Sequence, residues 1–217
     1  VLFRSVRYDE KRDDDLTENQ VSPKFGVIFH PATNGSVYVQ YSESFMPQGE
    51  VSSGRGKTYV NDGEKLDAER GISYEIGTKW ELFDQRLFVS GAVFDITLEN
   101  MSLDVESGKD ASNKVLHKKT QGGEQVHKGA ELMAQGFVTP ELSLTASAMY
   151  LDAELKKAER YEGNRPVDVP EFSASLWSSY KVQDNTNLNL GLIHEGDRYG
   201  DAANTFKKDG YARVDMG

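Results

Sequence analysis

The stretch SYEIGTKWELFDQRLFVSGAVFDIT, residues 73–97, changes character at almost every second position. Its apolar and charged positions have opposite parity: the apolar set is Tyr74, Ile76, Trp80 and Leu82, and the charged set is Glu75, Lys79 and Glu81. Because successive side chains of a strand point to opposite sides, this pattern predicts a β-strand with one apolar face and one polar face. The fold then depends on what covers the apolar face.

The composition of the 217-residue chain is that of a hydrophilic protein, with 37% hydrophobic residues, 28% charged residues and a mean hydropathy of -0.60. No run approaches the roughly 20 apolar residues of a membrane helix. A formal net charge of -10 argues against a nucleic-acid partner, because phosphate binding requires a basic face. The absence of cysteine excludes disulfides, thiolate metal sites and a thiol nucleophile. The first residues lack the regions of a signal peptide, so we expect any export signal to be encoded elsewhere.

The same alternation recurs in four predicted hairpins, each closed by a short turn containing Asn, Asp, Gly or Pro. Their paired strands are residues 22–31 with 36–45, 73–83 with 87–101, 129–138 with 142–155, and 171–182 with 188–200. Longer segments rich in Gly and charge are predicted as loops, at residues 47–72, 102–124, 156–168 and 201–210. Short and long connections therefore alternate in strict order.

This alternation of connection lengths is typical of transmembrane β-barrels, which have tight periplasmic turns and long extracellular loops. Residues 73–83, at about 3.3 Å each and a tilt of about 40°, span roughly 28 Å, the thickness of the hydrocarbon core. A Lys on the lipid face near mid-membrane costs about 2 to 4 kcal/mol. We therefore predict that the charged set faces the lumen and the apolar set faces lipid, with Trp80 in an aromatic girdle near the short turn.

Four segments of the chain resemble the TonB-dependent outer-membrane receptors, especially the siderophore group. They are YSESFMPQ (41–48), the run from Leu66 to Met101, GNRPVDVPEFSASLWSSY (163–180) and GDRYGDAANTFKKDGYARVD (196–215). They look like the C-terminal part of the barrel domain, and the resemblance covers nearly the whole chain after about residue 20. It implies a barrel of about 22 strands in the bacterial outer membrane, plugged by an N-terminal domain, that imports ferric siderophores with energy relayed by TonB.

With nine or ten strand candidates, residues 1–217 are expected to form about half of one such all-β, antiparallel transmembrane barrel. The plug domain, the segment that contacts TonB and the final strands are expected to lie outside the chain. A backbone N–H or C=O group without a hydrogen-bond partner in lipid costs roughly several kcal/mol. We therefore expect the isolated chain to aggregate or to require detergent, because its strand edges are exposed.

A ligand is expected at the extracellular mouth, where aromatic and Arg side chains can stack on an iron chelate and match its charge. The candidate contacts are Phe45, Tyr59, Tyr161, Arg165, Tyr199 and Phe206. The expected partners are a ferric siderophore, the TonB energy-transducing complex through the plug, and outer-membrane lipid. No catalytic residue, cofactor or metal site is predicted, because the four His lack ligand spacing and no Ser, His and acid arrangement is present. The chain is therefore not expected to be an enzyme.

Two short motifs are interpreted as ordinary surface. SSGRGKT, residues 52–58, has Val51 where a phosphate loop requires its first Gly, and it lacks the strand-loop-helix context. DDD, residues 13–15, lacks the central Gly and the bidentate Glu of a calcium loop, and is predicted to end a hairpin.

Two other classes of function are compatible with the pattern. A small closed outer-membrane barrel acting as a porin or anchor would require strand closure within this chain. A soluble β-sandwich binding module would also show alternation. The sandwich would, however, have to expose the apolar set of residues 74–82 or bury the charged set.

Overall fold

The computed structural model describes residues 2–13, 16–54 and 56–217, with side chains from residue 20 onward apart from position 55. Within these ranges the regular structure is β-strand. The same ranges contain no helix that is long and apolar enough to cross a membrane.

Fourteen strands are present in the described residues: ten are members of one large sheet, and the other four are two-residue strands that form two short ladders within loops. They are β1 (Leu2–Asp13), β2 (Leu16–Ala32), β3 (Gly35–Met46), β4 (Gly49–Glu50), β5 (Lys65–Leu66), β6 (Glu69–Leu82), β7 (Leu87–Lys109), β8 (Val115–Phe137), β9 (Leu142–Lys157), β10 (Phe172–Gln183), β11 (Thr186–Glu195), β12 (Arg198–Tyr199), β13 (Lys207–Lys208) and β14 (Tyr211–Met216).

The main sheet is a simple meander in the order β1-β2-β3-β6-β7-β8-β9-β10-β11-β14, and every neighbouring pair is antiparallel. Each long strand pairs with the next one along the chain, so the sheet has β1 and β14 as its two edges. The prediction of nine or ten antiparallel strands is confirmed. The sheet is open, and closure within the described residues, which a small porin would require, is not observed.

All four predicted hairpins are present, as β2–β3, β6–β7, β8–β9 and β10–β11. In the β6–β7 turn, the non-Gly residues Phe83, Asp84 and Gln85 all have positive φ, a conformation that is uncommon for residues with a Cβ atom. In the β2–β3 turn, the Asn34 side chain donates a hydrogen bond to the carbonyl of Glu81 on the neighbouring β6, at 2.9 Å. Turn residues therefore hold adjacent hairpins in register as well as reversing the chain.

The prediction of a loop at residues 102–124 is wrong, because β7 and β8 continue as one long hairpin joined only by residues 110–114. The ladder contains irregularities in which Asn100, Gly108 and Gly122 have positive φ. Each irregularity shifts the parity of the strand, so the period-two signal disappears although the strands remain paired. β1 was not assigned from the sequence either, and the other long connections contain the short ladders β4–β5 and β12–β13.

Register gives the sheet two chemically different faces. Ile76 lies opposite Val39 on β3 and Val93 on β7, and the same row continues to Ala130 and Tyr150. This apolar face is largely uncovered: Ile76 is 55% exposed and Leu132 is 63% exposed. A sandwich would bury such a face under a second sheet. Nearly complete burial of hydrophobic side chains is confined, in the described part of the chain, to Val51, Leu66, Leu87, Ala92, Ala153 and Leu155.

The opposite face is polar. Glu75 and Lys79 lie opposite Gln40 and Ser36 on β3, and the row through Gly77 reaches Glu131 on β8. We call this the inner face and the apolar one the outer face. The sheet therefore divides its side chains as the alternation of residues 73–97 predicts.

Candidate functional site

The long connections all meet at one end of the sheet, because antiparallel neighbours alternate in direction and the short turns occupy the other end. We call this end the mouth; it comprises residues 47–68, 110–114, 158–171 and 196–210 with the strand ends that they join. The six residues predicted to contact a ligand all lie at the mouth, but in separate places: they are Phe45, Tyr59, Tyr161, Arg165, Tyr199 and Phe206.

The first mouth loop, residues 47–68, is fixed to the β7–β8 hairpin by backbone pairing. The amide of Val60 donates to the carbonyl of His117 at 2.8 Å, and the amide of His117 donates to the carbonyl of Thr58 at 2.8 Å. The pairing is possible because the β8–β9 ladder ends at the Glu124–Lys157 pair while β8 extends further. The loop thus occupies a strand edge that would otherwise lack a partner.

Two side-chain amides reinforce this attachment. The Asn61 amide donates to the carbonyl of Lys119 at 2.7 Å and accepts from its N–H at 3.1 Å. The Gln121 amide bonds the backbone of Asp67 in the same reciprocal way, at 2.7 and 2.9 Å. Each such hydrogen bond contributes about 1 kcal/mol net. The loop is therefore held before any ligand arrives.

Asp104 on β7 holds the tip of the same loop. Lys57 donates to one carboxylate oxygen at 2.6 Å and the Tyr59 hydroxyl donates to the other at 2.9 Å. Burial raises the pKa of Asp104, but the hydrogen bonds from Lys57 and Tyr59 outweigh it and leave that pKa below its usual value. The hydrogen bond to Asp104 raises the pKa of Lys57. Because the Tyr59 hydroxyl is bonded to Asp104, Tyr59 can offer a ligand mainly the edge or face of its ring, which lies against His117 with ring centroids 6.1 Å apart.

The loops at residues 158–171 and 196–210 form a second fixed pair. The side-chain amide of Asn204 accepts from the N–H of Arg165 at 2.9 Å and donates to its carbonyl at 2.9 Å. The Asn164 amide donates to the carbonyl of Ala202 at 3.0 Å. Lys208 donates to Asp168 at 2.5 Å, and this hydrogen bond lowers the pKa of Asp168. The mouth thus consists of two loop pairs, each held together by its own polar contacts.

The predicted contact residues differ in how they meet their surroundings. The Arg165 side chain is only 17% exposed, and its guanidinium lies 3.9 Å from Asp152 and 3.6 Å from Glu171. Phe206, in contrast, is 59% exposed. Tyr161 is also exposed. The backbone carbonyl of Tyr199 accepts a hydrogen bond from the N–H of Asp168. Phe45 lies opposite Arg70 in the β3–β6 ladder.

A cleft of about 290 Å³ opens where β8 and β9 separate, between the two loop pairs. We call it the fork cleft. It is lined by Met101, Ser102, Leu103, Asp104, Gly123, Glu124, Gln125, Leu155, Lys157, Ala158, Glu159, Tyr161 and Ala202. Gly123 and Gln125 share the parity of Glu131 on β8, and Leu155 lies opposite Gln125, so the cleft belongs to the inner face. Of the predicted residues, only Tyr161 lines this cleft. The β7 and β8 residues were missed because their strand irregularities remove the alternation.

A second concavity of about 690 Å³ lies on the inner face of the sheet. Glu75 and Lys79 line it together with Tyr38, Glu131 and Met133. The Lys79 ammonium lies 5.2 Å from the centroid of the Tyr38 ring. This wall is therefore polar and charged, in contrast to the outer face.

On the outer face, the apolar band ends in aromatic and charged side chains toward the mouth. The rings of Tyr41 and Tyr74 lie 5.1 Å apart. Beyond them Arg70 pairs with Glu43 at 2.5 Å. Lower on the same face, the Trp80 indole N–H donates to Thr78 at 2.6 Å, and its ring covers Gly35, where a Cβ atom would lie 2.2 Å from it.

The described residues of the remaining motifs show no further site. No three His, Asp or Glu side chains among the described residues could hold a metal ion. In the segment 52–58, Gly54 and Lys57 form a tight backbone bridge, and Arg55 lies outside the described residues. Asp13 pairs with Leu16 at the β1–β2 end, while Asp14 and Asp15 lie outside the described residues.

An antiparallel meander with an uncovered apolar outer face, a polar inner face, tight turns at one end and long loops at the other is a segment of a transmembrane β-barrel of the outer-membrane type. Residues 5–217 match the family model described as TonB dependent receptor-like, beta-barrel. The chain belongs to this family, whose barrels are outer-membrane proteins.

Two curated relatives illustrate the relationship. A protein of Acinetobacter baumannii, named a probable TonB-dependent siderophore receptor, PiuA, is 30% identical over 226 residues, which cover 97% of this chain and 28% of that protein. The ferrichrome outer membrane transporter/phage receptor of Escherichia coli K12 is 33% identical over 218 residues, covering 99% of this chain and 27% of that protein. The chain thus spans less than a third of the length of these relatives.

Solved structures agree with the assignment. The siderophore receptor PiuA from Acinetobacter baumannii superimposes with a TM-score of 0.83 at 26% identity, covering 99% of this chain and 33% of that one. The ferric-catecholate import receptor Fiu from Escherichia coli gives a TM-score of 0.73 at 25% identity, covering 92% of this chain and 28% of that one. The resemblance to TonB-dependent receptors, and the partial antiparallel barrel that it implied, are confirmed.

Proposed function

We propose that this chain is a segment of the barrel domain of an outer-membrane receptor that imports a ferric siderophore with energy supplied through TonB. The observation that carries the proposal is the mouth: two loop pairs, each held by reciprocal hydrogen bonds, stand above a charged inner wall. The names of the relatives, one a siderophore receptor and one a ferrichrome transporter, support the same function.

In this mechanism the barrel is a scaffold. Loops that are already fixed lose little conformational entropy when they meet a chelate, so more of the interaction energy remains for affinity. Ligand binding at the mouth shifts a plug that fills the lumen, and force transmitted by the TonB complex opens a path along the inner face. The plug and the TonB-contacting segment belong to parts of the receptor outside this chain. No enzymatic step or cofactor is involved.

We further propose that the outer face contacts lipid, including Tyr74, Ile76, Trp80 and Leu82, and that Glu75, Lys79 and Glu81 face the lumen. The exposure of Ile76 and the continuous apolar rows from β2 to β11 support this orientation. The position of Glu75 and Lys79 in the inner concavity supports it as well. Uncovered apolar rows are stable in acyl chains and would be an aggregation surface in water.

The ligand is proposed to contact mouth side chains from the set Phe45, Tyr59, Tyr161, Arg165, Tyr199 and Phe206. Phe206 and Tyr161 expose the largest aromatic surfaces of this set to solvent. The Arg165 side chain is held between Asp152 on β9 and Glu171, so its contribution is mainly to fix the 158–171 loop to β9.

Uptake of radioactive iron by cells that produce the full-length receptor tests the function. Iron-limited cells should accumulate ⁵⁵Fe supplied as a ferric siderophore, and accumulation should vanish in otherwise identical cells that lack TonB. Uptake that continues without TonB, and that scales linearly with external concentration, would instead indicate a passive pore.

A further inference from the structure

The fork cleft has walls that belong to two separately fixed loop pairs. One wall is Met101 and Leu103 on β7, whose hairpin carries the first mouth loop. The other is Leu155, Tyr161 and Ala202, which belong to or adjoin the second loop pair. Because both walls are fixed, the cleft is a preformed concavity on the inner face and can select a ligand by shape.

The chemistry of the lining is apolar with an acidic rim. Met101, Leu103, Leu155 and Tyr161 supply hydrophobic surface. The one Lys of the lining, Lys157, is paired with Glu124 at 2.5 Å, and Asp104 is already bonded to Lys57. Glu159 is exposed at the rim. The cleft therefore offers an incoming anion no uncommitted cation among its lining residues.

The mouth as a whole also has a negative net charge. In the segments 47–68, 99–124, 152–171 and 195–210, acidic residues outnumber basic ones. Several of the cations are paired with nearby carboxylates, including Lys57 with Asp104, Lys208 with Asp168 and Arg165 with Glu171. An anionic ligand would therefore meet a repulsive potential on this side of the mouth.

We propose that the fork cleft is a ligand subsite that takes an apolar arm of an uncharged ferric chelate, of the trihydroxamate class, in preference to an anionic tris-catecholate. Three singly charged hydroxamates neutralise Fe(III), whereas three doubly charged catecholates leave a trianion. The uncharged complex can place its arm against Leu155 and Tyr161 without opposing the carboxylate of Glu159, whereas Glu124 is already paired with Lys157. This inference rests on the proposed function as a ferric-siderophore receptor and specifies the ligand class.

The test uses the purified full-length receptor in detergent and two ⁵⁵Fe-loaded probes: the complex of a linear trihydroxamate chelator with zero net charge, and the complex of a hexadentate tris-catechol chelator. The unmodified receptor should bind the trihydroxamate at least about tenfold more tightly. Ala158→Trp, which fills the cleft, should raise the Kd for the trihydroxamate by about tenfold or more. The matched control Val167→Trp introduces the same side chain at an exposed position of the same loop, outside the cleft, and should leave the Kd within about twofold.

A charge-reversal variant provides a second test. Glu159→Lys, at an exposed position that should not disturb folding, should improve tris-catecholate binding by about threefold or more while leaving the trihydroxamate little changed. Heat-modifiable migration on gels shows that each variant is a folded barrel. Tighter binding of the tris-catecholate by the unmodified receptor, or a Kd that Ala158→Trp does not alter, would overturn the assignment of the subsite. In either case TonB-dependent iron uptake would still stand. Loss of that uptake for every ferric chelate would remove the proposed function, and this inference with it.

Discussion

Asn204 and Arg165 are joined by two hydrogen bonds of 2.9 Å, in which one side-chain amide satisfies both the N–H and the carbonyl of a residue 39 positions earlier in the chain. A side-chain amide that pairs with a backbone in this way replaces a neighbouring strand where the ladder has ended. The same device occurs twice in the other loop pair, at Asn61 with Lys119 and at Gln121 with Asp67. These polar contacts hold the mouth together with local hydrophobic burial, since Val51, Leu66 and Leu155 are nearly fully buried there.

Replacing Asn204 by Ala should loosen the second loop pair near Arg165, although the contacts of Asn164 with Ala202 and of Lys208 with Asp168 remain. Two hydrogen bonds of about 1 kcal/mol each are lost, so backbone amides near Arg165 should exchange with solvent roughly tenfold faster or more. Hydrogen-exchange mass spectrometry of the full-length receptor measures this. The control Asn187→Ala removes an exposed amide from β11 and should not change exchange at the mouth. Unchanged protection at Arg165 in the Asn204 variant would contradict the role of this contact.

Removing both Asn61 and Gln121, as the double Ala variant, should free the first mouth loop. Four side-chain-to-backbone hydrogen bonds are lost, although the backbone pairing of Val60 with His117 remains. Limited proteolysis should then cleave within residues 51–57 several-fold faster than in the unmodified receptor. Ser52→Ala, which changes an exposed side chain on the same loop, is the matched control. Equal cleavage rates in the double variant and the control would show that the two side-chain amides do not hold the loop.

The contact of Asp104 with Lys57 and Tyr59 should make loop attachment depend on pH in a defined window. The pKa of Asp104 is lowered in the folded state, so its contribution is complete above the unfolded value of about 3.9 and is lost as pH falls through the lowered folded value. The pKa of Lys57 is raised, so its contribution is complete below about 10.4 and is lost as pH rises through the raised folded value. Proteolysis at residues 51–57, corrected for protease activity, should be constant between about pH 5 and 9 and should rise below about pH 4. In the Asp104→Asn variant, proteolysis at residues 51–57 should be faster at neutral pH and should no longer increase at low pH. An increase at low pH that persists in this variant would show that another carboxylate is responsible.

Orientation in the membrane can be tested with one charge on each face. Ile76→Lys places a cation on the outer face and should destabilise the barrel in lipid by about 2 to 4 kcal/mol. Glu75→Lys places the same side chain one residue away on the inner face and should cost much less, because that wall is wet or in contact with protein. Urea unfolding of the full-length receptor in lipid vesicles measures both. Equal losses would show that the two faces do not differ in environment.

The two tryptophans of the chain provide an independent test, because they lie on opposite faces. Trp80 belongs to the row of Val89 and Ala134, and Trp177 lies opposite Thr145 and Gly191 on the inner face. Brominated acyl chains should quench the emission of Trp80 and leave that of Trp177 unchanged. The quenched fraction should therefore fall in Trp80→Phe and not in Trp177→Phe. Quenching of Trp177 and not of Trp80 would show that the inner face contacts lipid, and would overturn the proposed orientation.

The hairpins were predictable because their determinants are local. Asn34 and Gly35 reverse the chain, and Thr139 with Pro140 reverses it again, while the strand side chains next to these turns alternate in character. The extension of β7 and β8 was not predictable from the same signal. Asn100 and Gly122 lie in irregularities that change the parity of the strands, and backbone hydrogen bonds maintain the ladder regardless of side-chain pattern.

At the mouth, too, the sequence predicted some features and not others. That Tyr161 and Phe206 would lie at one end of the barrel followed from the order of long and short connections. Which residues share a cleft did not follow. Met101 and Leu155 are 54 positions apart and meet only because β8 and β9 separate at Glu124 and Lys157.

The sequence by itself therefore determined the four hairpins, their order and the chemical difference between the two faces, because alternation with period two acts between neighbours in the chain. The tertiary structure decided which loops are fixed to each other and where a preformed cleft opens. Those features depend on hydrogen bonds such as that between Asn204 and Arg165, whose partners have no sequence pattern that relates them. They arise only once the register of the whole sheet has brought distant strand ends together.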